Sequence, residues 1–245
     1  MVKKAFLRML SLFIIVSLLA LFPLFSTNNN KNQNSTDTHD FSSTRYLAFG
    51  DSITMGNYLE KSYPKLVAER LGCDYYSNMG VGGSTYVYAS NRGCIADEVV
   101  SALDIVGHYD FISVAGGVND HDLSYPLGTI DDESKYSIYG SLNIIAQALK
   151  TRQKNSFVFF ITPIKYDRDR VNNANYKLED VAKAVIEVGE KYDIPVLDLY
   201  STSEFETVAC GMNHAECDGT HPIQEFMDNY MSPKIVRFIK ENYNK

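Results

Sequence analysis

Four short polar clusters along this chain hold the residue types that acyl transfer through a serine requires. They are Gly50-Asp51-Ser52, which ends an apolar run in "YLAFGDSITMG"; "NMGVGGST" at 78–85; "GGVND" at 116–120; and "CDGTHP" at 217–222. A serine hydroxyl is a weak nucleophile until a base removes its proton. Ser52, placed where an apolar run stops, would present Oγ above a strand end. The Asp218-x-x-His221 spacing puts a carboxylate and an imidazole on one side of a single turn. The carboxylate can then bind one ring nitrogen while the other faces Ser52. The tetrahedral intermediate of such a reaction carries a negative oxygen, which donors already aimed at it stabilise. Gly83 can offer a backbone N–H with no side chain in the way, Asn119 its amide, and Ser52 its own N–H. The expected catalytic set is Ser52, Asp218 and His221, with Ser52, Gly83 and Asn119 as oxyanion donors.

Plainer readings exist for each residue. Ser52 and Asp51 suit a turn or a helix cap, and Asp51 reads as the residue that steadies the turn under Ser52. Gly80, Gly82 and Gly83 suit a tight turn. Asn119-Asp120 also fits a helix cap. His221 could bond locally, and His121 is a rival base beside the "GVND" cluster. A lone Gly-Asp-Ser decides nothing, so the clusters carry weight only together.

To act together, the clusters must be brought to one place by the elements between them. Strand-like runs "RYLAF", "CDYYSN", "YDFISVAGG", "SFVFFITP" and "IPVLDLY" alternate with helical segments "SYPKLVAERLG", "CIADEVVSALDIV", "SKYSIYGSLNIIAQALK" and "LEDVAKAVIEVGEKY". A last helix is expected within 223–242, and a polar insertion runs from His121 to about Asp132. This alternation predicts an α/β fold with a parallel sheet covered on both faces. In such sheets ligands bind beyond the carboxyl ends of the strands. The first three clusters follow the first three strands and the fourth lies in the connection after the fifth, so all four fall on that edge.

Taken jointly and in this order, "FGDSITMG", "NMGVGGST", "GVND" and "DGTH" resemble the four blocks of the SGNH, or GDSL, hydrolase superfamily over about residues 45–242. The resemblance implies a three-layer α/β/α flavodoxin-like sandwich with a central, mainly parallel five-stranded sheet. It also implies a serine esterase without metal or organic cofactor. Gly83 matches the oxyanion glycine, and a shifted alignment would select Gly80 or Gly82. Because the superfamily deacetylates polysaccharides as well as cleaving lipids and thioesters, the expected substrate is a small-molecule or polysaccharide ester. Carbohydrate deacetylation is the first reading, with lipase, lysophospholipase or thioesterase activity as the alternative. A catalytically silent carbohydrate or cell-wall binding protein is the non-enzymatic one. Specificity is expected in loops 54–63, 84–92, 121–136 and 163–176. Their Tyr58, Tyr86, Tyr88, Tyr125, Tyr166 and Asn172 favour a polar alcohol over a long acyl chain.

The remainder of the sequence frames this domain. Lys3, Lys4 and Arg8 precede residues 9–25, which carry no charge, so residues 1–25 read as a signal peptide or an N-terminal membrane anchor. Residues 26–44 are polar low-complexity sequence that cannot bury surface and read as a linker, leaving 45–245 as the hydrolase domain. An exported protein, secreted or membrane-attached through residues 9–25, is expected. Removing the three leader cations takes the formal net charge from −7 to −10, which argues against nucleic-acid binding. A hydrophobic fraction of 45% and a charged fraction of 22% suit an ordinary globular domain. In an oxidising compartment Cys210 would pair with Cys217 and Cys73 with Cys94, one of the possible connectivities. The row Cys210, His214, Cys217, His221 also has ligand types suited to zinc.

Overall fold

A computed structural model describes residues 39–57, 59–166, 169–202 and 218–243. Its centre is a sheet of five parallel strands: β1 (Arg45–Gly50), β2 (Tyr75–Gly80), β3 (Phe111–Ala115), β4 (Phe157–Ile161) and β5 (Val196–Leu197). Their spatial order is β2-β1-β3-β4-β5. β3 is buried along its whole length, as is β1 after Arg45. Both read as apolar runs for the reason that holds in any sheet covered on two faces, and the buried Ser113 hydroxyl within β3 is paired with Tyr46 Oη. β2, at one edge, is only partly buried, and β5, at the other, is two residues long. A short edge strand exposes few unpaired backbone groups, and this one is much shorter than the run "IPVLDLY" suggests.

The helices follow from the strand order. α2 (Tyr63–Leu71) joins β1 to β2; α3 (Ile95–Leu103), α5 (Ile138–Arg152) and α6 (Leu178–Tyr192) lie in the next three connections. Stepping from β1 out to β2 and then back across the sheet reverses direction once. Right-handed crossovers therefore send α2 to one face and α3, α5 and α6 to the other. The packing agrees: α3 lies on α5 and α5 on α6, while α2 lies against the C-terminal helix α8 (Ser232–Asn242). α8 is reached through the single turn α7 (Gln224–Phe226) and a π-helical stretch, Met227–Met231. Two short helices begin just past strand ends: α1 (Ser52–Met55) after β1 and α4 (Val118–Asp122) after β3. α4 occupies the start of the segment read from sequence as a polar insertion.

Ahead of β1, Phe41 and Thr44 are already buried, and Phe41 packs on Phe111 and Tyr243. Packing thus begins before Arg45. Among the described residues no helix is long and apolar enough to cross a membrane; residues 9–25 lie outside them.

The Cys73–Cys94 pairing is overturned. Both thiols are free: Cys73 accepts a hydrogen bond from the Thr44 hydroxyl and Cys94 donates to the Tyr86 carbonyl. They flank β2 at opposite ends, with about 20 Å of strand between them. A disulfide requires Cα atoms within about 7 Å. Cys210 and Cys217 lie outside the described residues.

Candidate active site

The direction of crossover reverses between β1 and β3, and the connections leaving these two strands part at their carboxyl ends. That opening is where such a fold offers room for a ligand. The β1 exit is tight. Gly50 pairs with Gly80 across the sheet, and Val81 N–H donates to Gly50 O at 2.9 Å. A Cβ on Gly50 would lie 2.2 Å from Thr54 Oγ1 and 2.5 Å from Ala115 O, so only glycine lets the chain turn here. Asp51 caps α1 by accepting from Ile53 N–H at 2.9 Å, the turn-steadying role expected of it. Ser52 follows, only 7% exposed, with its hydroxyl at the open end.

The Asp218–His221 turn meets it from the far end of the chain. His221 Nε2 stands 2.8 Å from Ser52 Oγ, and His221 Nδ1 stands 2.5 Å from Asp218 Oδ2. The other carboxylate oxygen accepts from Thr220 N–H at 2.9 Å and His221 N–H at 2.8 Å. With the carboxylate facing Nδ1, that nitrogen carries the proton and Nε2 is left to accept from the serine. Burial pushes the Asp218 carboxyl up, but the His221 backbone and ring and the Thr220 N–H outweigh it and hold the group down at about 2. It is therefore charged at any working pH.

Gly83 and Asn119 come in from the β2 and β3 ends. Gly83 has φ +76°, and the space where a Cβ would stand holds nothing within 4 Å. Its N–H has no acceptor among the described residues, whereas Gly80 N–H is taken by Asn78 Oδ1 at 2.9 Å. Of the alternatives to Gly83, Gly80 thus has no donor to offer. Asn119 sits inside α4, whose N-cap is Gly117, so it is not a cap. One amide proton goes to Ser84 O at 2.9 Å, which orients the group and leaves the second proton for another acceptor.

Asp120, unassigned from sequence beyond a possible cap, has a different part. It is fully buried, and its two oxygens accept from Tyr86 and Val87 N–H, each at 2.9 Å. Adjacent residues of one short helix therefore hold the Gly83–Val87 segment at three points. Burial raises the Asp120 carboxyl to about 7, against the pull of those two N–H groups, and raises Asp51 to about 6.

The rival base is out of place. His121 is buried, with Nδ1 2.6 Å from Tyr166 Oη and Nε2 2.9 Å from Arg170 O. Both of its nitrogens serve to hold Tyr166 and Arg170 against α4. The expected specificity residues also need correction. Tyr86 and Tyr166 are core residues, and Asn172 spends its amide on His121 O. Tyr58 lies outside the described residues.

A cleft of about 540 Å³ instead opens beside the imidazole. Asn57, Leu59 and Glu60 line it from the 54–63 loop, and Asp218, His221, Pro222, Ile223 and Gln224 from the opposite side. Gln224 braces its mouth by bonding both the N–H and the carbonyl of Lys61. Among the described residues no group of three His, Cys, Asp or Glu side chains could hold a metal. Of the zinc-type row, His221 faces Ser52 and Asp218, and Cys210, His214 and Cys217 are outside the described residues.

Solved structures share this arrangement of elements. A protein from Lactobacillus plantarum is 25% identical with a TM-score of 0.69, over 82% of this chain and 99% of that one. A possible lipase from Chitinophaga pinensis is 20% identical with a TM-score of 0.65, over 81% and 98%. The lipase/acylhydrolase from Enterococcus faecalis is 20% identical with a TM-score of 0.57, over 82% and 97%. No curated protein sequence matches significantly. The sequence pattern of the GDSL-like lipase/acylhydrolase family matches residues 48–225, a stretch that runs from inside β1 to α7 and includes every residue of the Ser52 site. With the fold of its structural neighbours and this match over most of its length, the chain belongs to the GDSL-like lipase/acylhydrolase family, whose members are ester hydrolases in general.

Proposed function

We propose that this protein is a serine esterase in which Ser52 is the nucleophile, His221 the general base and acid, and Asp218 the group that orients the imidazole. The observation that carries the reading is the unbroken line from Ser52 Oγ through His221 to Asp218, at 2.8 and 2.5 Å. As Ser52 Oγ attacks the ester carbonyl, its proton passes to His221 Nε2, and the imidazolium so formed is balanced by Asp218. The carbonyl oxygen becomes an anion. N–H groups of Ser52 and Gly83 and the second amide proton of Asn119 are the donors for it. Collapse breaks the bond to the alcohol, which takes the proton from His221 and leaves. Water then gives a proton to His221 and attacks the acyl-serine; as the second tetrahedral intermediate collapses, the bond to Ser52 Oγ breaks, His221 returns the proton to that oxygen and the acid is released.

The alcohol leaves on the His221 side, so the cleft there is the alcohol's subsite in this reading. Asn57 and Glu60 give it hydrogen-bonding groups beside the apolar side chains of Leu59, Pro222 and Ile223. A polyhydroxylated alcohol with a short acyl group, such as an acetylated sugar, suits such a lining. An exported setting goes with this substrate, residues 1–25 serving as signal or anchor. His39 and Phe41 meet the aromatic cluster of Phe111 and Tyr243 at the amino edge of the sheet, on the side away from Ser52.

The test is hydrolysis of p-nitrophenyl acetate, longer-chain analogues and acetylated sugars by the protein and by its Ser52→Ala and His221→Ala variants. Wild-type turnover that falls by 10³-fold or more in both variants is the expected outcome. Turnover by Ser52→Ala equal to wild type would remove Ser52 from the mechanism.

A further inference from the structure

We infer that Glu98 is a positioning residue for the oxyanion donors, acting through Ser84; the inference rests on the reading of Gly83 and Asn119 given above. Ser84 is fully buried and links them. Its carbonyl takes the Asn119 amide at 2.9 Å, its N–H donates to Val81 O at 3.1 Å, and its hydroxyl donates to Glu98 Oε1 at 2.9 Å. The preceding carbonyl, Gly83 O, accepts from Arg92 Nη1 at 3.3 Å. The peptide between Gly83 and Ser84 is thus held at both ends, and among the described residues Glu98 is the hydrogen-bond partner of the Ser84 side chain.

Several features say that this restraint is built for geometry and not for stability. Glu98 stands in the first turn of α3, half-buried, and its other oxygen, Oε2, is buried without a hydrogen-bond partner among the described residues. A carboxylate in that state costs folding free energy, and burial pushes its pKa up despite the Ser84 hydroxyl. The site is also packed around the bond itself. A Cβ on Gly93 would lie 2.2 Å from Ser84 Oγ and 2.5 Å from Glu98 Oε1, so the chain gives up a side chain at 93 to let the two meet. Oxyanion donors work by being aimed before the charge forms, and a displacement of about 1 Å can cost a hundredfold in rate.

The experiment compares Glu98→Ala, Glu98→Gln, Ser84→Ala and the double variant Ser84→Ala/Glu98→Ala with wild type in p-nitrophenyl acetate kinetics. Each protein's unfolding midpoint is measured so that rates refer to folded molecules, and Ser52→Ala is the control. Glu98→Ala and Ser84→Ala should each lower kcat by about tenfold to a hundredfold with KM within about twofold. Glu98→Gln, whose amide oxygen still accepts the Ser84 hydroxyl, should recover most of the rate. The double variant should be no worse than the poorer single, because the two residues act as one unit. The inference is overturned if Glu98→Ala or Ser84→Ala keeps kcat within twofold of wild type, if Glu98→Gln is as slow as Glu98→Ala, or if the double variant loses the product of the single losses. If Ser52→Ala is as active as wild type, or wild type has no activity to lose, the esterase reading itself fails and this inference with it.

Discussion

Asp218 feels burial and hydrogen bonding pulling in opposite directions, and the hydrogen bonds win, leaving the carboxyl at about 2. The consequence is kinetic. A depressed carboxylate stays charged until the pH falls through about 2, so the line from Asp218 to Ser52 keeps its anion from mildly acidic to alkaline solution. Loss of activity between pH 5 and 3 therefore cannot arise from Asp218. Replacing it by Asn keeps the shape but lets the imidazole settle with its proton on Nε2, pointing at Ser52, where it can no longer accept. Asp218→Asn should lower kcat by about 10⁴-fold with little change in KM. Asn119→Ala, which removes one oxyanion donor, should cost about 10²- to 10³-fold. Steady-state kinetics on the same ester would check both. An Asp218→Asn enzyme within tenfold of wild type would mean that the carboxylate does not set the tautomer.

At the scale of elements, the unit that matters is α4 with the segment it holds. Asp120 binds two successive backbone N–H groups of that segment from a fully buried position. Asp120→Ala would strand both donors, at a cost on the order of 3 kcal/mol, and would free the segment that carries Gly83. Urea unfolding would measure the first effect, and a variant as stable as wild type would show that water or the chain satisfies those groups. Ser52, Asp218 and His221, which the fold brings within hydrogen-bond reach of one another, could be singled out from the sequence, with Gly83 and Asn119 beside them as candidates, because each sits in a short block whose spacing has chemical meaning. The strand and helix alternation was legible for the same local reason. The parts of Asp120, Ser84 and Glu98 were not, because each depends on a partner brought close only by the crossovers. Tyr86 and Tyr166 misled for a related reason. A tyrosine in a loop looks like a binding residue until the fold shows that the loop is packed inward, and the free thiols at the two ends of β2 make the same point about pairing cysteines by count.

Two buried carboxyls, Asp51 and Asp120, lie just past the carboxyl ends of β1 and β3, and they tie the stability of the whole molecule to pH. Burial raises Asp51 from 3.8 to about 6 and Asp120 from 3.8 to about 7. Between those limits the unfolded chain has released protons that the folded chain still holds, so raising the pH favours unfolding. Stability should thus decline from about pH 4 to pH 7 and level off above. The half-exposed Asp218, shifted the other way, contributes in the opposite sense and only below pH 4. For Asp51 alone the shift corresponds to a loss on the order of 3 kcal/mol, complete a little above pH 6. Asp51→Asn separates this from the rest, because asparagine caps a helix as well as aspartate does and cannot ionise. Urea midpoints from pH 4 to 8 should show wild type losing ground to Asp51→Asn as the pH rises to about 6, after which the gap stays constant while Asp120 continues to titrate in both proteins. Parallel curves would place the Asp51 pKa back near its ordinary value, and the turn beneath Ser52 would then hold a nearly full charge already at about pH 5.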